Sequence, residues 1–214
     1  MDQHQAAWNE AVAEKIIANL RKRNMEGSYA VTAAQAMEEV LAMVPEGAKV
    51  YRGGSMSTVE LGLWPALAGV PGVEVIDPYR AGLSAEEGMA VRRRGLTADV
   101  MIAGANAVTL DGRLVNLDGR GNRVAALMFG PEKVILVVGM NKVAPDLEAA
   151  KARVKHRAAP INATRLGLKT PCAATGLCGD CNSPQRICNM WGIIEGHADK
   201  GRIHVKLVGE SLGY

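Results

Sequence analysis

Asp99 to Gly139 reads DVMIAGANAVTLDGRLVNLDGRGNRVAALMFGPEKVILVVG, and this stretch decides the fold class. An apolar run, Val100 to Ala103, ends at Gly104. A polar, glycine-rich segment follows, holding Asn106, Thr109, Asp111, Asn116, Asp118, Gly119, Asn122 and Arg123. A short apolar helical pattern and a second apolar run, Lys133 to Gly139, close the unit. Short apolar runs bounded by turn residues read as buried strands of a parallel sheet. Open α/β sheets place their ligand crevices outside the carboxyl ends of such strands. The polar side chains between the runs are therefore candidate ligand-binding residues.

Within the segment, Asp111-Gly112 lies between two β-prone runs. This predicts a two-residue hairpin turn in which both central residues take positive φ. Asp118-Gly119 and Gly121 allow a second reversal. Asn122 is expected to cap a helix from Arg123 to about Phe129, leaving its first amides for an anion. Taken singly, each dipeptide reads as ordinary surface-turn chemistry. The crowding of Asn116, Asp118, Asn122 and Arg123 in one loop between two buried strands favours a ligand site instead.

Upstream, Lys49 to Tyr51 is a short strand, followed by Arg52-Gly-Gly-Ser-Met-Ser-Thr-Val-Glu60. Gly53, Gly54, Ser55, Ser57 and Thr58 suit a loop that lays backbone amides against an anion, glycine also permitting positive φ. Arg52 or Arg123 can add a charge-assisted contact. Ser57 and Glu60 predict a capping box for a helix ending near Gly69. The loop lacks the spacing of a Walker or dinucleotide motif, so the alternative is a tight turn with no ligand. Downstream, Asn141 and Lys142 fall at a strand end, and Pro145-Asp146 open a long helix with Leu147, Ala150, Val154 and Ala158 on one face. Trp8, Val12, Ile16 and Leu20 recur every four residues and predict an opening amphipathic helix. Thr32 with Gln35, and Ser84 with Glu87, are capping-box signatures for two more. Val73 to Asp77 and Arg202 to Val208 read as further strands, and the partial alternation of the last predicts an edge position. Strands alternating with helices define an α/β fold: three layers, with a mostly parallel sheet covered by helices on both faces.

The segment Asn106 to Ala126, followed by Phe129-Gly-Pro-Glu-Lys-Val-Ile135, resembles the signature of the LUD (lactate utilisation) domain family, and the likeness extends over most of the chain, including its cysteine-rich tail. The resemblance implies a fold related to ribose-phosphate isomerases, coenzyme A transferases and translation initiation factor 2B-like proteins. It implies a role in bacterial lactate oxidation beside iron–sulfur protein partners. It also strengthens the anion-binding reading of residues 53–58, since phosphate-sugar isomerases of the related fold use a similar Gly-Ser-Thr loop.

Composition sets outer bounds. A chain of 214 residues can bury one sizeable core, and with no linker tract or repeat a single domain is expected, with N-terminal helices over about 1–45 and a cysteine-rich segment at 170–190. A net charge of +3 is no nucleic-acid footprint. Arg21-Lys-Arg23 and Arg92-Arg-Arg94 fall at helix ends, where cations complement the dipole; contact with a phosphate or cofactor is the alternative. The N-terminus carries no basic region followed by an apolar core, and Val134 to Val138 is far too short to span a bilayer, so a soluble, cytoplasmic protein is expected.

All four cysteines lie in one short tract: Cys172, Cys178, Cys181 and Cys188. Such crowding suits a metal site more than a disulfide framework in a cytoplasmic chain. An iron–sulfur cluster, zinc, and free or redox-active thiols are the three readings. The expected partners are a small-molecule ligand, iron–sulfur proteins and a second copy in a homodimer, with no nucleic acid and no membrane. The chemistry stays open between a binding component of an electron-transferring lactate-oxidation system and an enzyme. An isomerase needs a base near its substrate, for which Asp118 is the candidate with Lys142 as electrophile. A coenzyme A transferase needs a carboxylate nucleophile, and only Asp111 and Asp118 stand in the central loop.

Overall fold

The structure, a computed structural model, describes residues 2–214. Its main sheet has six strands, all parallel, in the order β1 (Glu26–Ala30), β10 (Ile203–Val208), β7 (Lys133–Gly139), β4 (Val100–Ala103), β2 (Lys49–Arg52), β3 (Glu74–Ile76). β4 and, after Lys133, β7 are apolar throughout because both faces are covered. In β7 the period-two alternation divides the side chains. Val134, Leu136 and Val138 enter one core, Ile135 and Val137 the other. The first core is closed by helix α1 (Gln3–Lys22), through Ala13, Ile16 and Leu20, and by α6 (Asn122–Met128), through Ala126 and Leu127. The second is closed by α2 (Ala33–Ala42), α3 (Met56–Glu60) and α4 (Leu63–Leu67). The three-layer α/β expectation thus holds.

Beside it stands a four-stranded sheet, ordered β8 (Val143–Ala144), β5 (Ala107–Thr109), β6 (Leu114–Asp118), β9 (Met190–Ile194). The β5–β6 hairpin is where the sequence puts it, with Ala107 opposite Val115. Its turn differs from the two-residue expectation. The Gly112 amide donates to the Thr109 carbonyl (2.9 Å) and the Thr109 amide to that of Arg113 (3.0 Å), while only Gly112 takes positive φ, at 85°. This is a three-residue connection with a left-handed glycine at its end, which spares Asp111 the strained conformation.

Several local expectations shift for identifiable reasons. The buried stripe of α1 is Asn9, Ala13, Ile16 and Leu20, whereas Trp8 is 54% exposed. The helix sits one position round because the Asn9 amide nitrogen donates to the Gly209 carbonyl across the core. Ser57 and Glu60 form no capping box. The N-cap is Ser55, and left-handed Gly62 (φ 73°) breaks the helix into α3 and α4. β10 is a central strand. Its alternation is spoiled by His204 and Lys206, whose polar atoms meet Ser28 on β1 and Glu39 on α2 rather than water. β1 and β9 were not foreseen: Glu-Gly-Ser-Tyr-Ala has no β-branched residue, and Gly192 interrupts the β-prone residues of Met190–Ile194. Asp146 caps α7 (Leu147–Arg153) as expected, its carboxylate accepting from the Ala149 amide. The long helix then widens into a π-helical turn at Val154–Ala158 before α8 (Ala159–Arg165). Pro160 lacks an amide hydrogen and its ring crowds the carbonyl four residues back, so a widened turn is the local remedy. Among the described residues no helix is long and apolar enough to cross a membrane.

Candidate functional site

A cleft of about 440 Å³ opens at the carboxyl ends of β2 and β4. The loop after β2 supplies Arg52, Gly54 and Ser55, and the loop after β4 supplies Gly104 and Asn106. The turn from β6 into α6 adds Asp118, Gly119, Asn122 and Arg123, and Lys142 completes the inner wall. These residues are far apart in the chain, and the parallel sheet brings them together where its strand ends converge.

The inner wall is a hydrogen-bonded lattice. Arg123, 8% exposed, donates from Nε (3.0 Å) and Nη2 (2.8 Å) to Asp118 Oδ1, from Nη1 to the Gly104 carbonyl (2.9 Å) and from Nη2 to Asn106 Oδ1 (2.6 Å). Asp118 Oδ2 accepts from the Val124 amide at 2.9 Å. The carboxylate, rather than Asn122 or a ligand, therefore satisfies the first turn of α6. Asn122 instead donates to the Tyr51 hydroxyl at 3.3 Å. Asn106 Oδ1 also accepts from the Leu117 amide. Arg123 is thus committed to holding the loop, and Asp118 to holding Arg123.

Lys142 is 3% exposed. Its Nζ donates to Ser57 Oγ at 2.7 Å, and Ser57 Oγ donates onward to the Leu212 carbonyl at 3.1 Å. Burial, reinforced by the charges of Arg153 and Arg123 against the weaker opposing pull of Glu60, pushes the ammonium down to about 7. Beside it the Ser55 Oγ is buried with no hydrogen-bond partner among the described residues, in the wall of the cleft.

The outer wall is cationic and aromatic. Arg52 is held by Asp77 (Nη1 to Oδ2, 2.9 Å) and lies 4.9 Å over the Trp64 ring and 5.6 Å over that of Tyr79. Arg92 lies 5.4 Å over the same Tyr79 ring and has no carboxylate partner among the described residues. Stacking fixes each guanidinium plane while leaving edge donors free. Arg120 and Arg165 also line the cleft, against a single carboxylate, Asp118.

Other expected positions lie elsewhere. Thr109 and Asp111 belong to the hairpin at the far end of the second sheet, where Arg23 and Arg113 pair with Asp111. Asn116 is 1% exposed on β6, outside the cleft lining, with both amide atoms unpartnered among the described residues. Asn141 braces the chain end, donating to the Gly213 carbonyl and accepting from the Leu212 amide, which sets Tyr214 in the cleft wall. Thr58 Oγ1 binds back to the Ser55 carbonyl. Gly53 is needed for packing: a Cβ there would lie 2.6 Å from that of Ala103. Gly53 and Gly54 have no positive φ, so the conformational reason expected for them does not apply. Sequence reading missed Tyr79, Asn162, Arg165 and Tyr214, which reach the cleft from remote elements without a local motif. Arg92 carried a signal, as part of a basic run.

The cysteines do not fit a metal centre as placed. Cys172 Sγ lies 3.3 Å from Thr170 Oγ1, and Cys188 packs against the apolar cluster between the second sheet and α7. Among the described residues no three Cys, His, Asp or Glu side chains gather as a ligand set.

The fold and its cleft define an α/β protein with an arginine-lined cleft at the ends of parallel strands. Residues 13–208 match the model of the LUD domain, so the chain belongs to the LUD domain family and is a lactate-utilisation-type protein. The crystal structure of a DUF162 family protein from Deinococcus radiodurans shares the fold, with a TM-score of 0.55 and 16% identity over 94% of this chain and 98% of that one. No curated protein matches the chain.

Proposed function

We propose that the cleft binds a small metabolite bearing a carboxylate or phosphate, and that through it the chain serves lactate oxidation beside electron-transferring partners. The observation that carries this reading is the concentration of guanidinium groups round one cavity, with Arg92 lacking a carboxylate partner among the described residues. Cationic side chains held over aromatic rings, close to an unpartnered Ser55 hydroxyl, are complementary to oxyanions. The transferase alternative draws no support from the geometry. Asp111 is remote, and both oxygens of Asp118 are engaged by Arg123 and Val124. The same engagement makes Asp118 a positioning group in this reading, with Lys142 left as the reactive side chain of the cleft.

Thermal unfolding in the presence of lactate, pyruvate, phosphate and sulfate tests the reading. At least one of these anions should raise Tm in a saturable way. Arg92→Gln should weaken that ligand about tenfold or more, the loss of a charge-assisted hydrogen bond being worth about 1.5–3 kcal/mol. Arg94→Gln, which touches Glu74 outside the cleft, should leave it unchanged. Equal affinity in wild type and Arg92→Gln would overturn the assignment.

A further inference from the structure

Two lysines are buried in this chain, and they are built differently. Lys206, fully buried, is ion-paired with Glu39. Lys142, almost as buried, has no carboxylate within ion-pair distance among the described residues. Its one hydrogen-bond partner is a hydroxyl. A permanently charged ammonium would be expensive at such a position, so a structural lysine would be expected to carry a counter-ion as Lys206 does. Lys142 also opens onto the cleft, whereas Lys206 does not line it.

The Ser57 contact fixes how the amine is presented. Ser57 Oγ donates its hydrogen to the Leu212 carbonyl, so it meets Lys142 with a lone pair and takes one N–H. In the neutral amine the nitrogen lone pair and the second N–H are then free. The wall beyond holds Ser55 Oγ, unpartnered, and the guanidinium groups that bind an anion.

We infer that Lys142 captures the carbonyl carbon of an anionic aldehyde or ketone as an imine, the arginines of the cleft holding the ligand's carboxylate or phosphate. The inference rests on the anion-binding reading and deepens it. The nitrogen lone pair attacks the carbonyl carbon, forming the C–N bond, while the amine proton passes to the carbonyl oxygen and gives a carbinolamine. Loss of that hydroxyl as water, with the second amine proton, leaves C=N, and no electrons are exchanged with a cofactor. The charged groups that face Nζ are Arg153, Arg123 and Glu60; the first two favour the free amine and the third opposes it. Ser57 is a positioning residue, setting the direction of the lone pair.

Reductive trapping tests this. The full chain is incubated with cyanoborohydride and either pyruvate, a 2-oxo acid, or dihydroxyacetone phosphate, a phosphorylated ketone, and digested for peptide mass spectrometry. The expected result is a secondary amine at Lys142 with one or both compounds, in large excess over every other lysine. The compound that reacts identifies the anionic group. The rate should rise with pH through about 7, and Ser57→Ala should slow trapping more than it weakens binding of the same compound. Binding is read separately by thermal unfolding. Anion-induced stabilisation without selective modification of Lys142 overturns the imine and leaves the anion site standing. Lack of both overturns the two together. Lys142→Arg, which keeps a cation, should retain anion binding and lose the adduct.

Discussion

At the residue scale, the site shows which side chains a sequence announces. Asp118, Asn122 and Arg123 were legible because, with Asn116, they crowd one loop between two buried strands; these three meet in the cleft and Asn116 does not. Their division of labour was not legible. A lone Asp in a glycine-rich turn looks like a base, and only the three-dimensional contacts show its oxygens occupied by Arg123 and Val124. Thr109 and Asp111 sit in the same run, but the hairpin carries them away. Lys142 offers the clearest residue-level test. Its native pKa of about 7 lies below the ordinary 10.5, so between those values the unfolded chain binds more protons than the native one. Stability attributable to this group therefore rises as pH rises through that window, by about 1.4 kcal/mol per pH unit where the difference is one full proton. Urea unfolding should show Lys142→Met more stable than wild type at pH 7, with the advantage shrinking towards pH 10. A constant difference across that range would mean that the native amine titrates as an ordinary lysine.

At the scale of elements, Thr32, Ser84 and Asp146 cap as the sequence suggests, because a cap is a local device, whereas neither Ser57 nor Asn122 is an N-cap. Ser84 with Glu87 forms the full capping box, and Thr32 caps α2. Strand position was read less well. β10 looks like an edge by pattern, and becomes central because Glu39 and Ser28 reach its polar side chains from other elements. The cysteine tract is an element whose expected role demands more than its placement provides. We propose that any cluster or zinc ion it holds forms only with repacking of residues 170–190. Anaerobic reconstitution with iron and sulfide, or with zinc, should then protect this tract from proteolysis and from a thiol reagent. Four freely reacting thiols and unchanged cleavage after reconstitution would end the metal reading.

At the scale of the molecule, the alternation of apolar runs and helical patterns was enough for the layers of the main sheet, since β4 and β7 are continuous apolar segments. The second sheet was half visible. Its hairpin is a local signal, but β8 and β9 join it from distant parts of the chain, across contacts that no window of sequence contains. The cleft itself belongs to this scale. It is walled by loops after β2 and β4, by α6 and by α8, so the tightening expected on anion binding should stabilise elements from both halves of the chain at once.

The widened turn at Val154–Ala158 has a consequence for the genetics of the cleft. Ala158, Asn162 and Arg165 face the cavity only with the phase that this turn imposes. The widened turn holds one residue more than an α-helical turn over the same arc, so one residue removed from 154–158 lets the helix close as regular α with everything after it near its present phase. The Asn141 and Asn106 carbonyls grip Arg153 ahead of the turn, so the upstream half would stay put. An in-frame loss of the single codon for Lys155 should thus leave a folded chain with native-like circular dichroism and a cleft that still retains its anion. Loss of the anion from such a folded variant would show that the wall needs the widened turn itself. Such a lesion would look silent in assays of expression and solubility, and equally in growth that depends on the ligand.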